Sequence, residues 1–298
     1  MKTKKSQNIQ IGFLLLPGIL IFGFFTIYPI VKLFITSFFK WDFGSMFDQE
    51  FIGFANYKEV LTDPYFHLAF SNSIVYTLVT VPAQMILGLL IAMLINNINK
   101  FSISYRVAYY LPVITSWVIA SLVFKYVFNT EGLLNYFLTK VIHLTSGNIH
   151  WLDSRWGGMS VAMLLGTWKG IGWSAIIYIA GISGIDQQLY EAATVDGAGR
   201  FQRMWHITVP GLIPTFCVLL LMSIANVLSN GMDQYLVFKN ATNATSIRVL
   251  DLYVYELGIG QGSIPLTTVV SMLKSVISVT LLFLANGASK LIRGESIV

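Results

Sequence analysis

Charge is what this chain of 298 residues has least of. Asp, Glu, Lys and Arg together supply 11% of it, where a soluble domain carries roughly a quarter. Hydrophobic residues supply 55%, so a water-soluble fold is excluded and an integral membrane protein is expected. Cysteine is nearly missing: Cys217 stands alone in an apolar segment, which excludes an intrachain disulfide and leaves packing as its role. No Gly-x-x-x-x-Gly-Lys-Ser/Thr loop occurs, so any ATP must be hydrolysed by another chain. The four histidines, His67, His143, His150 and His206, are scattered and there is no Cys/His cluster, so no metal site is expected. No nucleophile stands beside a base, and no catalytic residue is expected either. The excess of basic over acidic residues, 19 against 14, is spread over short loops. A nucleic-acid surface would gather it into a patch.

What is abundant is long apolar sequence. A spanning helix takes about 20 mostly apolar residues, and six stretches qualify: Ile11 to Phe34, Ser73 to Ile95, Val107 to Phe128, Gly158 to Gly181, Ile213 to Ser229 and Ile264 to Ala288. The fold class is therefore all-α, a polytopic membrane protein with six transmembrane helices in one domain over 1–298. The run after Lys2, Lys4 and Lys5 is too long for a signal peptide and lacks a small-residue cleavage site, so it stays as a span. Six spans put both termini on one side. Lys2, Lys4, Lys5, Lys100, Arg106, Arg200, Arg203, Lys290 and Arg293 lie on that side, and Lys40, Lys58, Lys140, Arg155, Lys239 and Arg248 on the other. The more basic side, with the shorter segments, is the cytoplasmic one. Pro82 and Pro112 fall inside spans, where a missing amide donor kinks or loosens a helix.

One stretch between the fourth and fifth spans, 183–214, is too polar for lipid, with Asp186, Glu191, Asp196, Arg200 and Arg203. Gln187 to Val195 is rich in helix formers, with Leu189, Ala192, Ala193 and Val195 roughly on one side. Gly197 and Gly199 interrupt it, and Phe201, Trp205 and Val209 begin a second apolar stripe. A helix, a glycine bend and a second short helix make a compact docking knob, and the alanine pair lets another surface come close. Composition alone also permits an amphipathic helix lying at the lipid interface.

The spacing Glu191-Ala192-Ala193, three residues, Gly197, nine residues, Ile207-x-Val209-Pro210 resembles the EAA loop of the permeases of ATP-binding-cassette (ABC) importers. The longer form, Glu191 to Ala198 with Phe201 and Ile207 to Pro210, is similar to the carbohydrate permeases, with Val209 where Leu is usual. The likeness continues in Gly53-Phe54-x-Asn56-Tyr57, Asp63-Pro64-x-Phe66 and Tyr105-Arg106-x-x-Tyr109-x-Leu111-Pro112. Val249-x-Asp251-x-Tyr253-x-Tyr255 and Ser271-x-x-Lys274 resemble the branch that imports polysaccharide-derived oligosaccharides such as alginate or pectin fragments. The resemblance implies a type I ABC importer permease fold in a bacterial cytoplasmic membrane. It also implies an ATPase-coupling role for Glu191, Ala192, Ala193, Asp196, Gly197 and Pro210 on the cytoplasmic side. The implied partners are a second homologous permease, two copies of an ATPase subunit that bind ATP and magnesium, an extracytoplasmic solute-binding protein and the sugar itself. The outer loops, Lys40 to Phe70, Asn129 to Gly157 and Asn230 to Ser263, would receive that binding protein. Trp151 and Trp156 in them, read from the sequence alone, mark the lipid interface.

Polar residues inside spans mark the candidate solute path. Asn226 and Asn230, four apart, are expected to stack on one helical face near Ser223, where amides can bond sugar hydroxyls or glue helices together. In carbohydrate permeases this helix lines the cavity, but the usual Gly-Gly-Pro after it is replaced by Lys239 to Thr242. In the fourth span Trp168 and Trp173 could pack against sugar rings, or merely pack, and Lys169 lies between them. Tyr76, Gln84 and Trp117 are weaker candidates. Lys32, Lys125, Lys169 and Lys274 have no acidic neighbours in the spans and are expected to face water. A cavity so charged would favour an acidic solute such as a uronate oligosaccharide. The alternatives are a permease for another solute such as a glycerol phosphate, an ion-gradient-driven transporter, for which neither internal repeats nor an embedded acid is evident, and a non-transporting scaffold. Two Asn-x-Thr sequons, at Asn240 and Asn243, receive no role.

Overall fold

The computed structural model of the protein describes residues 2–40, 50–96 and 102–293. Residues 97–101 of the second loop, with Lys100, and 41–49 of the first outer loop lie outside them. The chain is mostly helical and divides into two compact units, Met1–Asp63 with Val254–Lys274, and Pro64–Tyr253 with Ser275–Val298.

In the first unit, α1 (Lys2–Phe22) runs through a π-helical turn at Gly23–Ile27 into α2 (Tyr28–Thr36). Ile11–Thr36 is apolar enough to cross a membrane, and none of its most apolar window is buried. Water is a poor solvent for a surface carrying Phe13, Leu14 and Phe25, so the rod belongs in lipid or against another subunit. A two-residue antiparallel ladder, β1 (Phe39–Lys40) with β2 (Glu50–Phe51), leads into α3 (Ala55–Thr62). The Gly53-Phe54-x-Asn56-Tyr57 motif builds this corner. Gly53 takes φ +58°, the Asn56 amide donates to the carbonyls of Ser37 (2.8 Å) and Phe39 (3.0 Å), and the Tyr57 and Ser37 hydroxyls share a hydrogen bond of 2.9 Å.

The second unit begins with α4 (Pro64–Asn96), whose opening proline needs no amide partner there. Then come α5 (Ser102–Ile114), α6 (Trp117–Phe128), α7 (Leu133–Tyr136) and α8 (Arg155–Ser183). The Ser154 hydroxyl caps α8 by accepting from the Gly157 amide at 3.0 Å. The knob holds α9 (Gln187–Val195), α10 (Arg200–Arg203) and α11 (Val209–Gly211), and α12 (Ile213–Ala225) and α13 (Asp233–Phe238) follow. Finally α14 (Leu250–Tyr255) and α15 (Ile264–Arg293) each pass from one unit to the other.

Among the described residues, four helical stretches are long and apolar enough to cross a membrane alone: Ile11–Thr36, Pro64–Asn96, Arg155–Ser183 and Ile264–Gly287. The other two expected spans are bent pairs, Val107–Ile114 with Trp117–Val141 at 102° and Arg200–Gly211 with Ile213–Ala225 at 53°. Each pair counted once gives six. The third span is thus not the continuous helix expected over Val107 to Phe128. Pro112 loosens it, and the break itself falls at Thr115 and Ser116. Pro82, by contrast, lies within an unbroken α4.

Helices α4 and α8 form the core of this unit because glycines let their backbones approach. A Cβ on Gly88 would lie 2.6 Å from the Ser174 Cβ, and one on Gly166 would overlap the Tyr76 hydroxyl. Met85, Ala92, Tyr178, Ile182, Leu212 and Leu219 pack together between α4, α8 and α12.

Three buried asparagines close the loops at the opposite end of the unit from the knob. The Asn72 amide donates to the carbonyls of Ser246 (2.9 Å) and Arg248 (2.7 Å) and its oxygen accepts from Arg155 (2.9 Å). Asn135 donates to Thr130 and Ile149 carbonyls and accepts from the Trp151 indole at 3.2 Å, so Trp151 is held inside the loop. Asn243, fully buried, donates to the carbonyls of Leu152 and Phe238 and accepts from the Asn240 amide. The second sequon is therefore a loop clasp with no room for a glycan. Asn243→Ala removes the donor to the Phe238 carbonyl, the acceptor of the Asn240 amide and the shorter of two bonds to the Leu152 carbonyl, and should cost about 1–3 kcal/mol. A thermal melt of the purified protein checks this, and an unchanged midpoint would contradict the clasp.

Candidate functional site

The knob at 183–214 has the expected plan, and its turn can be read bond by bond. Asp186 caps α9 by accepting from the Gln188 amide at 2.9 Å. At the other end Asp196 is the last cap residue and Gly197 takes φ +79°. The Gly197 amide donates to the Thr194 carbonyl (3.1 Å) and the Ala198 amide to the Ala193 carbonyl (2.8 Å). That pair of bonds is a Schellman turn, which needs the left-handed conformation glycine adopts freely. The Gly199 amide then donates to Gln202 Oε1 at 2.8 Å, opening α10.

Two contacts fold the halves together. The Tyr190 and Thr208 hydroxyls share a hydrogen bond of 2.9 Å, and Arg203 donates to the Thr194 hydroxyl at 2.8 Å. Tyr190 had no signal in the sequence beyond its place in a helix. Glu191, Ala192, Asp196 and Pro210 are exposed, Ala193 is half-buried, and Gly197 stands in the turn. Leu189 is 52% exposed, Val195 88%, Phe201 85% and Trp205 69%. Among the described residues nothing covers these apolar side chains on a polar loop. Behind the knob a cavity of about 300 Å³ is lined by Gln187, Tyr190, Arg200 and Arg203 with the ends of α4 and α8.

A larger cavity of about 410 Å³ lies between α4, α8, α12 and the break in the third span. Among the candidates, Lys169, Trp173, Asn226 and Asn230 line it, as do Tyr76, Gln84 and Trp117. Thr77, Thr80, Ser223 and Ser229 add hydroxyls, so the wall alternates hydrogen-bonding groups with two indoles. Such a wall can bond hydroxyls and cover apolar ring faces. No Asp or Glu contributes to it.

Two expectations are corrected here. Trp168 does not line the cavity; its ring packs against Phe124, centroids 5.6 Å apart. Asn226 and Asn230 do not stack on a helix, because α12 ends at Ala225 and the fifth span is four residues shorter than expected. They share the cavity through other bonds: Asn226 donates to the Met222 carbonyl at 2.9 Å, and Asn230 donates to the Thr77 hydroxyl at 2.8 Å. Thr77 in turn donates to the Val227 carbonyl at 2.6 Å. The buried Asn230 Oδ1 has no donor among the described residues. Of the four lysines, Lys169 stands in the wall of this cavity and Lys125 donates to the Val237 carbonyl at 2.6 Å, while Lys32 and Lys274 belong to the first unit.

Comparison with known proteins agrees with this architecture. The family described as binding-protein-dependent transport system inner membrane component matches residues 69–293. Protein LplB of Bacillus subtilis (strain 168) is 32% identical over 281 residues, covering 93% of this chain and 87% of the relative. The polygalacturonan/rhamnogalacturonan transport system permease protein YteP of the same organism is 31% identical over 297 residues, covering 99% and 92%. Among solved structures, a chain of a bacterial alginate ABC transporter in complex with an alginate pentasaccharide-bound periplasmic protein superposes with a TM-score of 0.85. It covers 99% of both chains at 22% identity.

Proposed function

Because the chain belongs to the binding-protein-dependent transport system inner membrane components, we infer that it is the permease of an ABC importer that carries a sugar or oligosaccharide across the membrane. One observation carries the reading: the knob at 183–214 presents Glu191, Val195, Phe201 and Trp205 outward, exposed among the described residues, between two membrane helices. A separate ATPase subunit, present in two copies and binding ATP and magnesium, takes that surface. A second homologous permease completes the pore, and an extracytoplasmic binding protein delivers the solute to the loops clasped by Asn72, Asn135 and Asn243. The excess of basic residues on the side of the termini supports a cytoplasmic knob in a bacterial inner membrane. Transport is by alternating access: closure of the ATPases moves the knob, the knob moves α8 and α12, and the cavity between them changes the side to which it opens.

The test is uptake into vesicles carrying the permease with its native companions. Import of a labelled oligosaccharide should need ATP and the binding protein together. Import driven by an ion gradient without ATP, or uptake of a glycerol phosphate in preference to any sugar, would overturn the reading.

A further inference from the structure

The hydrogen-bonding groups left open by the break in the third span have to be satisfied inside the protein, because lipid offers none. Helix α5 ends at Ile114, so the carbonyls of its last turn have no amide to meet them. The Thr115 hydroxyl takes the Leu111 carbonyl at 2.9 Å. The Lys169 ammonium, reaching from the middle of α8, takes two more: it donates to the Pro112 carbonyl at 2.7 Å and to the Thr115 carbonyl. The same nitrogen lies 4.8 Å from the centre of the Trp117 ring, at the first residue of α6.

Lys169 therefore touches both sides of the break at once. It is 4% exposed, and the partners of its ammonium are these two carbonyls and the indole face. A cation at the carbonyl end of α5 is favoured by that helix's dipole, and the indole face adds a cation–π attraction. These contacts hold the buried charge in place of a carboxylate.

We infer that Lys169 is a positioning residue, the pin that fixes the bend between α5 and α6 and so sets the wall of the solute cavity, and that it does not serve as the counter-ion of an acidic solute. This rests on the importer reading above. It separates two roles that a lysine in a cavity wall can have. A pin acts on every solute alike, whereas a counter-ion acts on anions.

The experiment compares Lys169→Met, Lys169→Gln and Lys169→Arg in the assembled complex in vesicles, with a neutral and a uronate oligosaccharide of the same length as probes. Met keeps the stem and removes all donors, Gln restores donors without charge, and Arg restores both. Maximal uptake of any transported probe should fall about tenfold with Met, the factor that two lost interhelical hydrogen bonds would give. It should recover in the order Met, Gln, Arg, while each variant keeps the wild-type ratio of the two KM values. A second readout needs no solute: spin labels on α5 and α6 should report a broadened distance across the break in the Met variant and a narrow one in the Arg variant. Failure of Met alone to assemble, with Arg assembling, supports the pin. A rise in KM confined to the uronate probe, an unchanged spin-label distance in the Met variant, or equal failure of all three variants overturns it. If the wild-type complex imports neither probe, the importer reading fails for sugars, and the distance measurement still decides the pin.

Discussion

Gly197→Val is expected to reduce solute uptake by the assembled complex about tenfold or more while ATP hydrolysis continues, because the turn it occupies excludes a β-branched residue. The reason is backbone conformation alone. A Cβ built on Gly197 meets nothing within 4 Å, so no clash is involved, but φ is +79°. An L-residue there costs roughly 1–2 kcal/mol, and a β-branched one more. That shifts the balance toward a knob without the Ala198 to Ala193 bond by about 5- to 30-fold relative to the wild type. Phe201 and Trp205 would then no longer hold their places relative to Glu191, and a motor gripping the knob would turn over without moving the membrane helices. Gly197→Asn is the control, since asparagine tolerates this region and should keep most coupling. The measurement is the number of ATP molecules hydrolysed per solute imported. A Val variant with the wild-type ratio would show that the turn transmits nothing.

The second large effect is expected at Gly166. There a new Cβ would overlap the Tyr76 hydroxyl, and Tyr76 is itself buried between α4 and α8. Gly166→Ala should therefore destabilise the permease by about 1–3 kcal/mol, as overpacking does. Tyr76→Phe removes the oxygen that the methyl group meets, so the double variant Tyr76→Phe/Gly166→Ala should be more stable than Gly166→Ala alone. A double-mutant cycle on the thermal midpoint of the purified protein gives the coupling directly. Additive effects would mean that the two helices can slide apart at no cost, contrary to the close approach seen at Gly88 and Gly166.

The knob was legible in the sequence because every signal in it is local. Polar residues ended the apolar runs, helix formers filled 187–195, and Gly197 marked the turn. What was not legible depends on contacts between distant residues. Hydropathy reads Val107 to Phe128 as one span, since an apolar stretch looks the same bent or straight, and the group that stabilises the break is Lys169, far along the chain on another helix. Asn226 and Asn230 did reach the same cavity, but through Met222 and Thr77 and not through helical spacing. Trp168 and Trp173 differ by five positions, which turns one toward Phe124 and the other toward the cavity, and the weak amphipathic signal of a buried helix cannot separate them. The clasping asparagines carry no pattern either, because their partners are backbone carbonyls that any residue supplies.

The most direct test is sidedness. Glu191→Cys, placed in a Cys217→Ser background so that it is the only thiol, should react with a membrane-impermeant maleimide in inside-out vesicles and stay unreacted in sealed right-side-out ones. Binding of the ATPase subunits should then protect it. Labelling from the outer face, or labelling that the ATPase leaves unchanged, would contradict the account.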